Sequence, residues 1–110
     1  NKSLIFIPDI DKWERWATNI NELIQKVDYA FLDATFYKNG ELRRDMSEIP
    51  HPFVQESMEI FSTLTKTDKK KVHFIHFNHT NPLLIEGSSA KNEVLKNGFN
   101  LAKEGQIIVF

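Results

Sequence analysis

The sequence predicts an α/β fold in which helices cover a sheet. Short apolar runs of strand length recur along the chain, and segments with helical spacing of apolar residues separate them. The composition is that of an ordinary globular domain, with 41% apolar and 26% charged residues. At 110 residues, the chain can bury a core and corresponds to one domain or part of one.

Four apolar runs are predicted to be strands, at positions 4–7, 29–32, 72–77 and 107–110. Pro8 ends the first run and Asp33 ends the second. Strands that alternate with helices favour a sheet covered by those helices, although the sequence does not fix the direction of each strand.

The clearest helix is predicted to begin at Asp11, which can cap it, with Glu14 completing a capping box. Apolar residues at helical spacing then run from Trp13 to Val27. We interpret Trp13 and Trp16 as core residues rather than as ligand-stacking residues.

Two more helices follow. Pro52 suits the first turn of the second, whose apolar stripe at 53–64 is interrupted only by Ser57. Ser88 or Ser89 can cap the third, and Gly98 lies near its end. Between these elements, Asn39-Gly40 predicts a hairpin, 46–51 an irregular loop and 65–71 a turn.

Charge and cysteine content exclude several classes of protein. The net charge is −1, with 14 basic and 15 acidic side chains, so a broad basic face for nucleic acid is not expected. No apolar run approaches the length that spans a membrane. The chain has no cysteine, which excludes disulfides and thiolate metal sites and is compatible with a cytoplasmic location.

Candidate metal ligands follow two of the predicted strands. Asp33 stands at the carboxyl end of one strand, and His76 stands near the end of another. In open α/β sheets, sites form outside the carboxyl ends of strands, so these side chains would meet if their strands are neighbours. A carboxylate with an imidazole suits zinc, iron or manganese.

Structural explanations compete with this one. Asp33 could equally be a turn former or a helix cap, and His76 could be packed on the face that Val72 and Phe74 share. His73 alternates onto the other face, and we interpret it as structural. His51, between two prolines, suits a proton donor or substrate contact, or else a helix cap.

Three motifs in order resemble the C-terminal half of the metallo-β-lactamase superfamily. They are "FLDATF", "MSEIPHPFVQES" and "FIHFNHTNPLL". The closest likeness is to the branch that contains pyrroloquinoline-quinone biosynthesis protein B, which the opening "LIFIPDIDKW" also fits. The resemblance runs from about Leu4 to Leu84.

The resemblance implies an αββα sandwich whose halves face each other across a metal cleft, with this chain supplying one sheet and helices on one face. It implies that Asp33 bridges two metals, zinc first with iron or manganese as alternatives, and that His76 is a metal ligand. It suggests His51 as a proton donor. His79 is not assigned as a ligand.

The superfamily's main metal motif, His-x-His-x-Asp-His, is absent. We therefore expect residues 1–110 to be the C-terminal half of a metallo-β-lactamase-like domain, inactive alone, that pairs with its missing half or with a second copy. The intact protein would be a metal-dependent hydrolase acting on an ester, phosphodiester or amide bond of a small molecule. The alternative is a non-hydrolytic protein of cofactor biosynthesis with a degenerate metal site.

A weaker alternative comes from "FIPDIDKW", which resembles the Asp-x-Asp motif that follows a strand in haloacid-dehalogenase-type phosphotransferases. That motif expects a threonine where Trp13 stands. Asp9 could still lie near the cleft, as a loop residue at a strand end.

Overall fold

Residues 2–103 are described by a computed structural model of the chain, and they form a small sheet with short helices. The strands are β1 Leu4–Ile7, β2 Tyr29–Asp33, β3 Val72–Ile75 and β4 Asn100–Leu101. The α-helices are α1 Ile20–Lys26, α2 Val54–Ile60, α3 Lys66–Lys69 and α4 Ser89–Lys96. Single 3-10 turns occur at Trp13–Arg15, Phe61–Thr63 and Pro82–Leu84.

The four strands pair in parallel, in the order in which they occur along the chain. Crossovers between parallel strands are almost always right-handed. When each parallel strand joins the sheet on the same side as the one before it, right-handed crossovers all pass over the same face of the sheet. Helices α1, α2 and α4 pack on one face of the sheet, as the sequence analysis predicts for this α/β fold, whereas α3 has no buried residue.

The helix-covered face carries the main core. Its strand residues are Ala30, Leu32, Val72 and Phe74, all fully buried. Helix residues that pack into the same cluster include Ile24, Val54 and Val94.

The opposite face of the sheet is apolar and stays largely uncovered within residues 2–103. Phe6 is 63% exposed and Leu4 is 39% exposed on the edge strand β1. Across the sheet, Phe6 pairs with Phe31, which pairs with His73. None of these side chains belongs to the core beneath the helices.

The long helix predicted from Asp11 to Val27 is wrong, because the segment breaks after one 3-10 turn at Trp13–Arg15. The Asp11 carboxylate accepts from the neighbouring Lys12 N–H at 2.7 Å and so does not form the predicted capping box. Asn19 begins a separate helix, α1, by accepting from the backbone of Asn21 and Glu22.

The prediction that Trp13 belongs to the core is confirmed. The side chain is buried, and its ring lies 5.5 Å from that of Trp16. Its indole Nε1–H donates to the buried Ser57 hydroxyl at 2.8 Å, which explains the one polar residue in the apolar stripe of α2.

The predicted hairpin at Asn39-Gly40 is also wrong, because this region forms turns without strands. Gly40 and Arg43 both adopt positive φ, at 92° and 59°. The Asn39 side chain accepts from Met46 N–H at 2.8 Å, so local side-chain bonds replace a strand ladder. Met46 is fully buried beside Phe36 and Phe53, in a small second cluster.

The other boundaries differ less from those predicted. The turn expected at 65–71 contains α3, which the Thr65 hydroxyl caps. Ser88 caps α4, and Gly98, at φ 93°, follows its end as predicted. β3 stops at Ile75, two residues earlier than expected, and the strand predicted at 107–110 lies outside the described residues.

Between residues 2 and 103, no helix is long and apolar enough to cross a membrane. The longest, α4, has eight residues.

His73 lies in the middle of the uncovered face, which agrees with its interpretation as a structural residue on the face opposite Val72 and Phe74. Its ring stacks on Phe31, with the centroids 4.9 Å apart, and lies 6.3 Å from the Tyr29 ring. Its Nδ1 is buried without a hydrogen-bond partner among the described residues. Burial lowers the pKa of His73 below its usual value of 6.5, because the charged ring loses solvation.

This shift predicts how stability depends on pH. Below the unfolded value of 6.5, the unfolded chain binds a proton that folded His73 resists. Stability should therefore fall as the pH drops through 6.5 toward the lower folded pKa. Denaturant unfolding at several pH values should show this loss in the wild type and a smaller loss in His73→Phe. An unchanged pH slope in that variant would contradict the assignment. His79→Phe, at an exposed loop position, is the control.

Candidate functional site

The site lies at the carboxyl edge of the sheet, where β2 and β3 end side by side. Asp33 is the last residue of β2, and it pairs with Ile75, the last residue of β3. His76 follows directly. The parallel pairing therefore brings Asp33 and His76 to one edge, as the sequence analysis required of a shared site.

Asp33 is fully buried, and its two oxygens accept four hydrogen bonds. Oδ1 accepts from the backbone N–H of Thr35 at 2.8 Å and from its hydroxyl at 2.6 Å. Oδ2 accepts from Ile10 N–H at 3.1 Å and pairs with His51 Nδ1 at 2.7 Å. A carboxylate offers about four acceptor positions, so each position of Asp33 is occupied.

His76, directly after β3, lies in the left-handed region, at φ 66°. This conformation interrupts the alternation of the strand and leaves His76 exposed, so the alternative that it packs beside Phe74 is wrong. Its Nδ1 lies 2.9 Å from the Thr35 hydroxyl oxygen. His76 is thus linked to Asp33 through Thr35.

The backbone around this link is firmly held. Ala34 N–H donates to Ile75 O at 2.7 Å, and Asn78 N–H donates to Thr35 O at 2.9 Å. The buried Asn81 side chain donates to Ala34 O at 2.7 Å. These bonds tie the loop after β2 to the loop after β3, so the two candidate side chains are carried on one connected unit.

His51 is positioned from three sides. Besides the bond to Asp33, its Nδ1 lies 3.6 Å from an Asp9 carboxylate oxygen. Its ring stands edge-on to Phe36, with centroids 6.0 Å apart. Its carbonyl accepts from Lys12 Nζ at 3.0 Å. Asp9, a loop residue after β1, thus lies beside His51 at the candidate site.

Lys12 is an unusual residue, because it is a lysine that is only 6% exposed. Its ammonium group lies 2.7 Å from a Glu56 carboxylate oxygen and 3.7 Å from the centre of the Phe53 ring. The same Glu56 oxygen accepts from Phe53 N–H at 2.9 Å. Lys12 therefore joins the loop after β1 to His51 and to the start of α2.

Two sets of side chains could hold a cation here. The sequence-based set is Asp33 with His76. A second set is formed by Asp9, Asp33 and His51, whose ligand atoms all lie within 4.8 Å of one another, and His76 is not part of it. Both sets offer oxygen and nitrogen ligands, which suit zinc, iron or manganese.

Sequence reasoning missed Thr35, Ile10, Lys12 and Asn81. Each acts through a hydrogen bond to a distant part of the chain or to the backbone, and such pairs leave no periodic pattern in a sequence. The Asn81-Pro82 step marks a turn, and Asn81 does begin the 3-10 turn there, yet nothing in that signal indicates its bond to Ala34.

The Lys12 contacts predict a loss of stability in Lys12→Met. This variant keeps most of the apolar stem but removes the charged hydrogen bonds to Glu56 and to the His51 carbonyl. We expect a cost of about 1.5–3 kcal/mol in the free energy of unfolding, measured by denaturant titration. Lys96→Met, at an exposed position on α4, should change it by less than about 0.5 kcal/mol. Equal effects in the two variants would contradict the structural role of Lys12.

No family model matches the chain. Individual curated proteins do match it. Coenzyme PQQ synthesis protein B of Gluconobacter oxydans (strain 621H) is 26% identical over 110 residues, which covers 94% of this chain and 35% of that protein. The protein of the same name from Acinetobacter baumannii (strain ACICU) is 26% identical over 113 residues, covering 97% of this chain and 36% of its own length.

A solved structure shows the same fold. The crystal structure of Zn(2+)-bound PqqB from Methylobacterium extorquens matches with a TM-score of 0.72 at 20% identity. The match covers 92% of this chain and 37% of that one. The chain thus spans about a third of the length of the curated relatives. It is similar to coenzyme PQQ synthesis protein B along nearly its whole length and has part of the metallo-β-lactamase fold of that protein, as its motifs predict.

Proposed function

We propose that this chain supplies part of the metal centre of a metal-dependent hydrolase, with Asp33 and His76 as ligands and His51 as a proton donor or substrate contact. One observation supports this most strongly. A fully buried carboxylate at the edge of the sheet is hydrogen-bonded to one histidine directly and to a second through a hydroxyl. Buried charges of this kind need partners or a metal.

The side chains present fit a divalent metal but do not complete its coordination. Zinc takes three or four protein ligands, and Asp33 with His76 provides two. The remaining ligands would come from another part of the protein, and two ions in the intact protein remain our expectation. Zinc is the first choice, since the structurally similar PqqB from Methylobacterium extorquens is described as Zn(2+)-bound.

The roles of the chain's own residues follow from their contacts. A bound divalent metal would lower the pKa of a water molecule and stabilise a developing oxyanion. As a ligand, Asp33 would hold that metal at the edge of the sheet. His51 has one ring nitrogen, Nε2, outside its bond to Asp33, and any proton exchanged with the substrate would pass through that nitrogen. The substrate would be a small molecule with an ester, phosphodiester or amide bond, in the cytoplasm.

A non-hydrolytic role in cofactor biosynthesis is the second candidate. The curated relatives are named for the synthesis of coenzyme PQQ. In addition, all four acceptor positions of Asp33 are occupied, so it can coordinate a metal only by giving up one donor. A site in which those hydrogen bonds persist would bind and position a substrate without hydrolysis.

Zinc titration of metal-depleted full protein containing this chain tests the ligand assignment. Asp33→Asn and His76→Ala should each weaken zinc binding by about tenfold or more, because each removes a ligand. Unchanged zinc binding in both variants would rule out the proposed centre. His79→Ala, in the exposed loop, is the control.

The same titration separates the two ligand sets. If Asp33 and His76 bind the metal, His51→Gln should leave zinc affinity equal or higher, since a ring that competes for Asp33 is removed. If Asp9, Asp33 and His51 bind it, then both His51→Gln and Asp9→Asn should weaken binding. That second result, together with unchanged zinc binding in His76→Ala, would overturn the assignment of His76.

The proposal also covers the apolar face of the sheet. In the intact protein, this face would pack against the other half of the sandwich. In its absence, we expect the chain to pair with a second copy, because an uncovered apolar face drives association. The exposed Phe6 and its cross-strand neighbours would form the contact.

Sedimentation of the chain at increasing concentration tests this pairing. The wild type should associate, and Phe6→Lys should shift it toward monomer by placing a charge in the contact. Leu95→Lys is a matched control, because Leu95 is 50% exposed on helix α4, away from that face. A clean wild-type monomer at high concentration would contradict the pairing.

A further inference from the structure

We propose that Thr35 is a positioning residue that fixes the tautomer of His76. This inference rests on the proposed function, in which His76 uses a ring nitrogen at the site. Thr35 is 8% exposed, and its hydroxyl stands between the Asp33 carboxylate and the His76 ring.

The direction of each hydrogen bond follows from counting protons. The Thr35 hydroxyl has one hydrogen and two acceptor lone pairs. Asp33 Oδ1, at 2.6 Å, is a carboxylate oxygen and can only accept. The single hydroxyl hydrogen therefore points to Asp33, and the oxygen of Thr35 must accept whatever bond it makes with His76.

His76 must then be the donor at Nδ1, which lies 2.9 Å from the hydroxyl oxygen. A neutral imidazole carries one N–H, so the Nδ1–H form leaves Nε2 with a free lone pair. The same argument applies to His51, whose Nδ1 lies 2.7 Å from Asp33 Oδ2. One buried carboxylate thus gives both rings the same tautomer, one of them through Thr35.

His76 depends on this bond more than His51 does. His51 is also held by the Phe36 ring and by its carbonyl bond to Lys12. The His76 side chain is exposed, and its left-handed backbone turns it away from the packed face of the sheet. The bond to Thr35 fixes which nitrogen His76 presents. A metal ligand or proton acceptor needs a free lone pair, and with Nδ1 bonded to Thr35 that lone pair is on Nε2.

The tautomers can be measured directly by nitrogen-15 NMR of the histidine rings in the chelator-treated chain, at a pH where the rings are neutral. The wild type and Thr35→Ser should both show His76 as Nδ1–H. Thr35→Val, which removes the hydroxyl at nearly equal volume, should shift His76 toward the Nε2–H form. His51 should stay Nδ1–H in all three proteins, which makes it an internal control.

Two results would overturn the inference. One is a wild-type His76 in the Nε2–H form, and the other is a folded Thr35→Val chain whose His76 is unchanged. Thr35→Ala is the second variant if Thr35→Val does not fold, and the wild-type spectrum tests the predicted tautomer in either case.

Zinc binding to the full protein separates this inference from the proposed function. If both hold, Thr35→Val should weaken zinc binding by about 10- to 100-fold, and Thr35→Ser should restore it. A wild-type protein with the expected tautomer that fails to bind zinc would overturn the metal centre alone. Zinc binding with His76 in the Nε2–H form would overturn the role of Thr35 alone.

Discussion

The structure depends on the parallel pairing of its strands in the order in which they occur along the sequence. Parallel strands end at a common edge, and because each new strand is added on the same side, helices α1, α2 and α4 pack on one face. Two results follow from this single constraint. Asp33 and His76 arrive side by side, at the ends of β2 and β3. The other face of the sheet, with Phe6 and Phe31, receives no helix from the described part of the chain.

Much of this fold could be predicted from apolar runs, because a buried parallel strand is apolar at nearly every position. β1 matches its prediction fully, and β2 is longer by one residue. The failures have local causes. Asn19 caps a new helix inside a stretch whose apolar spacing suggested continuity, and Asn39 bonds to Met46 where a hairpin ladder was expected. In both cases an asparagine side chain bonds to backbone N–H groups, and such bonds leave no trace in the spacing of apolar residues from which the elements were predicted.

The candidate site likewise contains residues that the sequence predicted and residues that it did not. Asp33, His51 and His76 were found from residue type, from position after a strand and from motifs, and their roles as ligands and proton donor remain predictions. The supporting residues were not found, since Thr35 and Lys12 act through contacts that only the folded chain creates. Asp9 falls between the two groups, because its place after β1 suggested the cleft without indicating His51 as its neighbour.

The left-handed backbone of His76 has an evolutionary consequence. Such a conformation costs an ordinary residue roughly 1–2 kcal/mol, and glycine would adopt it without that penalty. Selection for thermal robustness alone would thus favour glycine at this position. An imidazole there runs against that pressure, and in the proposed site its role as a ligand would oppose that gain in stability.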